Sequence, residues 1–472
     1  MKSKLLLLFF SILLILLGVF FSNKRIRNND LNDQHIAFKN KNLCSSNEES
    51  FCTHLPIVSI DTNNQEIPGE KREGKFITTN IKIINNKKGG NHLSDKAELN
   101  NLANIRYRGH SSVHFDKKSY LIKFINKNGE EDKEEVIGMP KHDEWVLYGP
   151  FVDKTLIRNY LWYNISSKIM ESAPNSKFCE LFVDDEYMGL YLMVESPSRG
   201  DSSRMKITKN RHNTNYTSYI LRLDRGSNDG LSNLNTFSMY TYFIPTQVEL
   251  IYPGKNTITD ELKEYITNDF SKFEKALFSY DFKSNLYGYP TYINIDSFVD
   301  YYLINEFTQN YDATTYSTYI YKDLKGKYNM YVWDFNNSCD NYIEQPIDRK
   351  VFGLNEGAWY FMLMKDKSFT DKVINRYRYL RKNYFSYEYL NKYIDETIDY
   401  LGPAIQRNFE KWNYSFEDEN DLLIGEERHI HSYEEAVNQL KTFIKDRGDF
   451  LDKHIDAINL FSHESKIKKF LH

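Results

Sequence analysis

The chain has 472 residues, 41% of them hydrophobic and 15% aromatic, which is enough for a large buried core. This length exceeds that of one small domain and suits two lobes or domains of about 150–250 residues each. The formal net charge of −4, from 61 basic and 65 acidic residues, gives no indication of a nucleic-acid partner, which usually needs a basic face.

The chain starts with a hydrophobic segment. Leu5–Phe21 is apolar except for Ser11 and Gly18 and has basic residues on both sides. As a helix rising about 1.5 Å per residue it would span roughly 26 Å, which is short for a membrane span and long for the core of a signal peptide. No small-x-small cleavage site follows it. Residues 1–27 are therefore predicted to be a signal anchor, with a cleaved signal peptide as the alternative, and the charges on both sides leave the orientation open.

Residues 28–53 are polar and are predicted to be a tether between membrane and folded chain. This segment contains Cys44 and Cys52, which would form a small disulfide if the chain is exported. A metal site made of cysteines is not indicated, because the sequence has no Cys-x-x-Cys pair. His110 and His114 have a zinc-like spacing, but that spacing brings side chains together on a helix, and these two lie in a predicted turn.

Residues 54–200 are predicted to be rich in β-strands. Strands are expected at Leu55–Ile60, Phe76–Ile84, Ile105–Arg108, Lys118–Phe124, Phe178–Val183 and Gly189–Glu195, and the last two form a hairpin. Period-2 alternation places Tyr120, Ile122 and Phe124 on one face of the fourth strand. Apolar residues at helical spacing predict a helix over Asp153–Met170.

The turn after Ile105–Arg108 has the composition of a phosphate-binding turn. It supplies a guanidinium group, two hydroxyls and backbone N–H groups, which are the groups that bind phosphate oxygens. The residues concerned are Arg108, Gly109, Ser111 and Ser112. Lys118 or Lys123 on the next strand would add a positive charge. An ordinary hairpin turn followed by a solvated lysine is the alternative.

Two further charged residues of this half are site candidates. Arg158 lies near the start of the predicted helix, where it would pair with a carboxylate or face water. Glu195 ends an apolar strand and would border a cleft between two lobes. The polar segment Ser196–Asn215, with its proline and glycine, is predicted to link the lobes.

Residues 201–465 are predicted to be mainly helical after one strand at Tyr219–Asp224. Thr257-x-x-Asp260 is typical of a helix start. Helices are expected from Thr257, at Asp296–Phe307, Trp359–Met364, Thr370–Tyr384 and Tyr387–Tyr400, from Pro403, and at Ser432–His454. Their aromatic and leucine stripes indicate core packing.

The segment 310–336 interrupts these helices with a predicted hairpin. Its strands are Ser317–Lys322 and Tyr328–Trp333, separated by a short polar turn. Asp312 precedes the first strand and Asp334 follows the second, and antiparallel pairing returns both to the same end of the sheet. Two carboxylates there would hold a divalent cation or divide the roles of base and metal ligand. Two solvated turn aspartates are the alternative.

The order of these parts is that of a protein-kinase-like site: a phosphate-binding turn, a strand lysine, a strand-end carboxylate and two aspartates on a later hairpin. In such a site Asp312 accepts the proton of the acceptor hydroxyl and Asp334 binds the metal. The usual glycine-rich loop and the His-Arg-Asp triplet are absent. The chain is therefore not a conventional kinase.

Seven motifs in this order resemble those of the CotH (spore coat protein H-like) kinases. They are IRYRGHSS (105–112), KKSYLIKF (117–124), DKTLIRNYL (153–161), ELFVDDEYMGLYLMVE (180–195), YILRLD (219–224), NYD (310–312) and YVWDFN (331–336). The resemblance implies an α+β, atypical two-lobed protein-kinase-like fold. It also implies that ATP with Mg²⁺ (or Mn²⁺) is used to phosphorylate Ser or Thr of coat or surface proteins outside the cytoplasm. Asp312 matches the family's catalytic aspartate and Asp334 its metal-binding aspartate.

Two positions depart from the family pattern. Ser317 stands where the family commonly has Asn, and Asn336 stands where it commonly has Asp. Both side chains still offer an oxygen ligand, so Asn336 remains a candidate metal ligand and a kinase of reduced activity is favoured. A pseudokinase that binds nucleotide without transfer and a structural coat or surface protein are the alternatives.

Overall fold

The computed structural model describes residues 33–37, 44, 51–69, 75–86, 89–110, 112–200, 205, 207–209, 214–227, 230–240, 246–254 and 257–463. Among them no helix combines the length and the apolar character that crossing a membrane requires. The predicted anchor Leu5–Phe21 and Ser111 of the predicted phosphate turn lie outside the described residues. The fold is mixed α+β.

The first half of the chain forms a closed seven-stranded β-barrel. Its strands, with the short pair β5 and β6, are β1 Ile57–Asp61, β2 Ile77–Ile84, β3 Leu99–Arg108, β4 Ser119–Ile125, β5 Glu134–Val136, β6 Met139–His142, β7 Glu144–Tyr148, β8 Ser176–Val183 and β9 Glu186–Glu195. The barrel order is β1-β2-β3-β4-β7-β9-β8, closed by parallel pairing of β1 with β8. The sequence prediction lacked β7, and without β7 the barrel has no link between β4 and β9.

Four neighbouring strands of the barrel, β4, β7, β9 and β8, separate two hydrophobic cores. Tyr120, Ile122 and Phe124 of β4 lie inside the barrel, which confirms the predicted alternation. Leu121 of β4 and Val146 of β7 instead join the larger core outside the barrel. Strands buried on both faces lose the apolar–polar alternation, which is why β7 gives little sequence signal.

The larger core holds the second half of the chain against the barrel. Its buried residues run along the chain from Leu55 to Ile458. A five-stranded sheet lies in this half, in the order β11-β12-β10-β13-β14. Its strands are β10 Tyr219–Asp224, β11 Asn233–Leu234, β12 Gln247–Tyr252, β13 Thr318–Lys322 and β14 Tyr328–Tyr331. The predicted hairpin is thus one edge of a larger sheet.

The described helices are α1 Gln34–Ala37, α2 Arg158–Ile169, α3 Asp260–Leu277, α4 Ile295–Thr308, α5 Tyr360–Leu363, α6 Lys367–Arg381, α7 Tyr387–Leu401, α8 Pro403–Trp412 and α9 Tyr433–His454. The N-terminal cap of helix α3 lies two residues later than the sequence predicted. Thr259, not Thr257, caps it by accepting a hydrogen bond from the Leu262 backbone N–H.

Helix α2 is also shorter than predicted. The Asp153 carboxylate accepts hydrogen bonds from the backbone N–H groups of Thr155 and Arg158, at 3.1 and 2.9 Å. Leu156 has a left-handed backbone with φ of +65°. These contacts fold residues 153–157 into a turn, so the helix begins only at Arg158.

The predicted tether is partly built into the fold. Asp33, Gln34 and His35 are buried, so residues 33–37 are not the solvated linker that their polar composition indicated. Cys44 and Cys52 form a disulfide.

Candidate functional site

One end of the five-stranded sheet gathers three aspartates. Strand β10 ends at Asp224, Asp312 precedes β13, and Asp334 follows β14. In the antiparallel register Leu223 pairs with Thr318, so the end of β10 lies beside the start of β13. The two hairpin carboxylates therefore share one end of the sheet, as predicted, and a third from β10 joins them.

Asp334 has the more strained environment of the two hairpin aspartates. Its backbone is left-handed, with φ of +61°, and among the described residues none donates a hydrogen bond to its carboxylate. Burial raises its pKa to about 6, the negative charges of Asp312 and Asp224 act in the same direction, and the Arg108 guanidinium opposes them. A bound cation would offset the free-energy cost of ionising this buried carboxylate.

Asp312 is held by its own turn. Its carboxylate accepts a hydrogen bond from Asn337 Nδ2 at 2.7 Å, and its backbone carbonyl accepts one from the Tyr316 N–H at 2.7 Å. Burial raises the pKa of Asp312, while the Asn337 hydrogen bond and the positive charge of Arg225 lower it. The carboxylate is thus oriented and half-buried, which suits a proton acceptor.

Helix α2 fixes the loop that carries Asp334. The Asp334 N–H donates to Tyr163 Oη at 3.1 Å, and the Phe335 N–H donates to Asn159 Oδ1 at 2.7 Å. Asn310, just after α4, donates through Nδ2 to the Asp334 carbonyl at 3.2 Å. The metal-ligand candidate is therefore placed by two helices.

Arg158 of helix α2 also contacts this loop and does not face solvent. It is fully buried and pairs with Asp153 at 2.6 Å. Its other hydrogen bonds go to Thr155 Oγ1, Ser338 O, Cys339 O and Gln439 Oε1. These contacts use all five N–H donors of the guanidinium, so Arg158 braces the loop after Asp334 and keeps no donor for a phosphate.

The turn after β3 reaches the aspartates through Arg108. The Arg108 guanidinium lies 5.5 Å from the ring centre of Trp333, which immediately precedes Asp334. Gly109 has φ of +120°, and a Cβ there would lie 1.8 Å from Ser112 Oγ, so the turn requires glycine. Lys118 Nζ donates to the Val113 carbonyl at 2.8 Å, which folds it back onto the turn.

Lys123 and Glu195 lie farther along the barrel strands. Lys123 Nζ forms an ion pair with Glu144 Oε2 at 2.6 Å. Buried Glu195 accepts a hydrogen bond from Asn175 Nδ2 at 2.5 Å and pairs in the sheet with Trp145. Both lie at the end of β7 away from Tyr148, the residue whose pKa is raised by burial and by the charges of Asp153 and Asp334. The structure does not bring Lys123 and Glu195 to the aspartates.

Asp334 and Asn336 carry oxygen donors of the kind that hard divalent cations prefer. Asn336 Oδ1 is buried and has no hydrogen-bond partner in the described chain, while its Nδ2 donates to Asn337 at 3.0 Å. Among the described residues no group of three or more His, Cys, Asp or Glu could hold a metal. A cation would therefore take one or two carboxylates and the amide oxygen, with waters and phosphate completing its shell, as Mg²⁺ often does.

Comparison with known proteins assigns the family. A family model described as CotH kinase protein matches residues 105–451, well over half of the chain. The chain belongs to this family. The inner spore coat protein H of Bacillus subtilis (strain 168) is 22% identical over 359 residues, which cover 75% of this chain and 87% of that protein. The resemblance inferred from the seven motifs is confirmed.

Three residues at this candidate site were not predicted from the sequence: Asp224, Arg225 and Asn337. Asp224 ends an apolar strand just as Asp334 follows one, and this shared pattern was the available signal. The pattern could not show that β10 pairs with β13, which is what brings Asp224 to the other two aspartates.

Proposed function

We propose that this protein transfers the γ-phosphate of ATP to Ser or Thr hydroxyls of partner proteins, with Asp312 as base and Asp334 and Asn336 as ligands of Mg²⁺ (or Mn²⁺). One observation carries the proposal. Two aspartates of a single hairpin share one sheet end, and the Asp334 carboxylate accepts no hydrogen bond from the described residues while burial raises its pKa to about 6. A buried carboxylate without a hydrogen-bond donor is typical of a functional site.

Each group has a distinct task in the proposed reaction. The Asn337 hydrogen bond holds one oxygen of Asp312, which leaves the other oxygen to accept the proton of the acceptor hydroxyl. Arg108 and the N–H groups of its turn bind phosphate oxygens. A divalent cation, when bound, neutralises phosphate charge.

Nucleotide binding without transfer is a second candidate. The observation in its favour is the amide of Asn336 at a position where the family commonly has a carboxylate, together with the lack of a three-acid cluster among the described residues. One carboxylate fewer weakens a second metal position. Nucleotide binding would then persist while transfer is lost.

The partners we propose are coat or surface proteins. The relative from Bacillus subtilis is named as an inner spore coat protein, which supports a spore coat location for this chain. We further propose that Leu5–Phe21 tethers the protein to a membrane with residues 30 onward outside the cytoplasm. N-terminal sequencing tests the anchor, because a mature protein that begins near Ser22 would mean a cleaved signal peptide.

A transfer assay tests the proposed function. The full chain is incubated with γ-labelled ATP and Mg²⁺ or Mn²⁺, and label is measured on casein and on the protein itself. We expect metal-dependent labelling that Asp312→Asn abolishes and that Asp456→Asn preserves, because Asp456 is an exposed aspartate paired with Arg378 far along the chain. A nucleotide-induced thermal shift without labelling would favour the second candidate. Neither shift nor labelling would favour a structural coat protein.

A further inference from the structure

Two arginines stand over aromatic rings beside the two hairpin aspartates. Arg108 lies 5.5 Å from the centre of the Trp333 ring, and Arg225 lies 3.8 Å from the centre of the Tyr316 ring. The positive charge of Arg108 lowers the pKa of Asp334, and that of Arg225 lowers the pKa of Asp312, each against the effect of burial. Each aspartate therefore has its own nearby guanidinium.

The Arg225 guanidinium keeps its hydrogen-bonding capacity. In the described chain no acceptor takes a hydrogen bond from it, and its closest carboxylate oxygen is Asp224 Oδ1 at 3.7 Å. Its side chain is 43% exposed. Arg222, three residues earlier, differs because it donates to Glu249 and Tyr319 and pairs with Asp224. Arg225 thus presents donors toward solvent at the rim of the site.

The position of Arg225 is tied to that of Asp312. The Arg225 backbone N–H donates to Asp224 Oδ1 at 2.9 Å, which fixes the end of β10. The ring beneath the guanidinium belongs to Tyr316, whose N–H donates to the Asp312 carbonyl at 2.7 Å. One turn therefore carries both the proposed base and the platform for the guanidinium. Aromatic stacking of this kind orients arginine while leaving its N–H groups available.

We propose that Arg225 is a catalytic residue that binds the non-bridging oxygens of the transferring phosphoryl group on the acceptor side. This rests on the proposed function. In the step, the acceptor oxygen bonds to phosphorus, and the bond from phosphorus to the β,γ-bridging oxygen breaks. The hydroxyl proton passes to Asp312, and ADP leaves. Donors aimed at a phosphoryl group in transfer stabilise the charge that spreads over its oxygens.

Kinetics of Arg225 variants test this assignment. Arg225→Met should lower kcat about 10²-fold or more, the effect of removing one such donor group, and leave the affinity for ADP unchanged. Arg225→Lys should recover only part of the rate because it lacks the planar fork. Arg378→Met, at an arginine with 53% exposure paired to Asp456, is the matched control. Added guanidinium ion should partly restore the rate of Arg225→Ala, which a merely structural role would not allow.

A binding measurement separates failure of this assignment from failure of the proposed function. With Mg²⁺ and ADP, tetrafluoroaluminate mimics the phosphoryl group in transfer. Its affinity for the ADP complex of Arg225→Met should be at least about tenfold lower than for that of the wild type. Equal kcat or equal tetrafluoroaluminate affinity in wild type and Arg225→Met would overturn the assignment while leaving the kinase proposal intact. Absence of any nucleotide binding by wild type would overturn both.

Discussion

At the scale of single residues, the two hairpin aspartates differ in what surrounds them. Asp312 accepts a hydrogen bond from Asn337, whereas the Asp334 carboxylate accepts none from the described residues. Two positions after Asp334, the buried amide oxygen of Asn336 has no hydrogen-bond partner in the described chain. The first environment orients a carboxylate for proton transfer. The second leaves oxygens available to a cation.

Substitution should separate these roles. Asp312→Asn keeps the shape but removes the basic oxygen, so we expect turnover to fall about 10²-fold or more with little change in nucleotide affinity. Asp334→Ala should abolish the metal-dependent part of nucleotide binding while the fold persists, as measured by calorimetry and circular dichroism. Equal loss of nucleotide affinity in both variants would make the aspartates joint metal ligands.

The raised pKa of Asp334 predicts a pH-dependent stability. The folded chain holds this proton up to about pH 6, whereas the group's ordinary pKa is 3.8. The stability that the protonated Asp334 carboxyl group contributes is therefore fully present below about pH 4 and is lost as the pH rises through 6. Asp334→Asn should be more stable than wild type at about pH 7.5 without divalent cations, by about 1–3 kcal/mol, and this gain should vanish below about pH 4.

Thermal unfolding across that pH range measures the difference. Mg²⁺ should raise the melting temperature of wild type above about pH 6, where the carboxylate is ionised, and should not do so for Asp334→Asn. A gain that is independent of pH would contradict the assigned cause.

At the scale of elements, helix α2 acts as a brace for the loop that carries the metal-ligand candidates. Asn159 and Tyr163 accept hydrogen bonds from consecutive backbone N–H groups of that loop, and Arg158 donates to the carbonyls of Ser338 and Cys339. The helix thus fixes the conformation of this loop, in which Asp334, Cys339 and Asp340 all have left-handed backbones. Such conformations persist only when their surroundings fix them.

Removing one contact of this brace should affect the site more than the fold. Asn159→Ala leaves the buried Phe335 N–H without its acceptor, at a cost of about 1–3 kcal/mol. We expect a lower melting temperature together with a loss of metal-dependent nucleotide affinity. Ser167→Ala, which removes a buried hydroxyl bonded to the Asn164 carbonyl on the same helix, is the control and should spare nucleotide binding. Unchanged nucleotide affinity in Asn159→Ala would show that α2 does not position the metal-ligand candidates.

At the scale of the whole molecule, a short segment before the barrel is packed into the larger structure. Buried Asp33 pairs with Lys168 of α2 at 2.9 Å. The Gln34 side chain exchanges two hydrogen bonds with the backbone of Phe178 in β8, at 3.0 and 2.6 Å. His35 contacts Tyr160 of α2 at 2.9 Å. The segment therefore contacts the helix that braces the site.

Two truncations measure what this segment contributes. A chain that begins at residue 31 keeps the segment and should match the full-length folded domain in melting temperature. A chain that begins at residue 39 removes Asp33 from the buried Lys168 and uncovers Tyr160 and Phe178, and we expect a loss on the order of 3 kcal/mol. A synthetic peptide of residues 31–40 should restore part of it. Equal melting temperatures of the two chains would show that the packing is energetically neutral.

The sequence by itself determined the features that depend on neighbours along the chain. Helical periodicity located α3, α4 and α9, and alternation located β4 with its inward face. The pair Asp312 and Asp334 was predictable because a hairpin is a local structure whose turn brings its own ends together. The family motifs are likewise contiguous stretches.

Tertiary structure decided what depends on pairing between distant segments. Asp224 and Arg225 reach the site only because β10 pairs with β13, and period-2 patterns carry no information on which strands are neighbours. Arg158 is buried in the loop after Asp334 because the carbonyls of Ser338 and Cys339 accept its hydrogen bonds. Residues 33–37 are buried because α2 and β8 offer them partners. A polar side chain in sequence is compatible with water, a ligand or a buried partner, and the packed fold selects among the three.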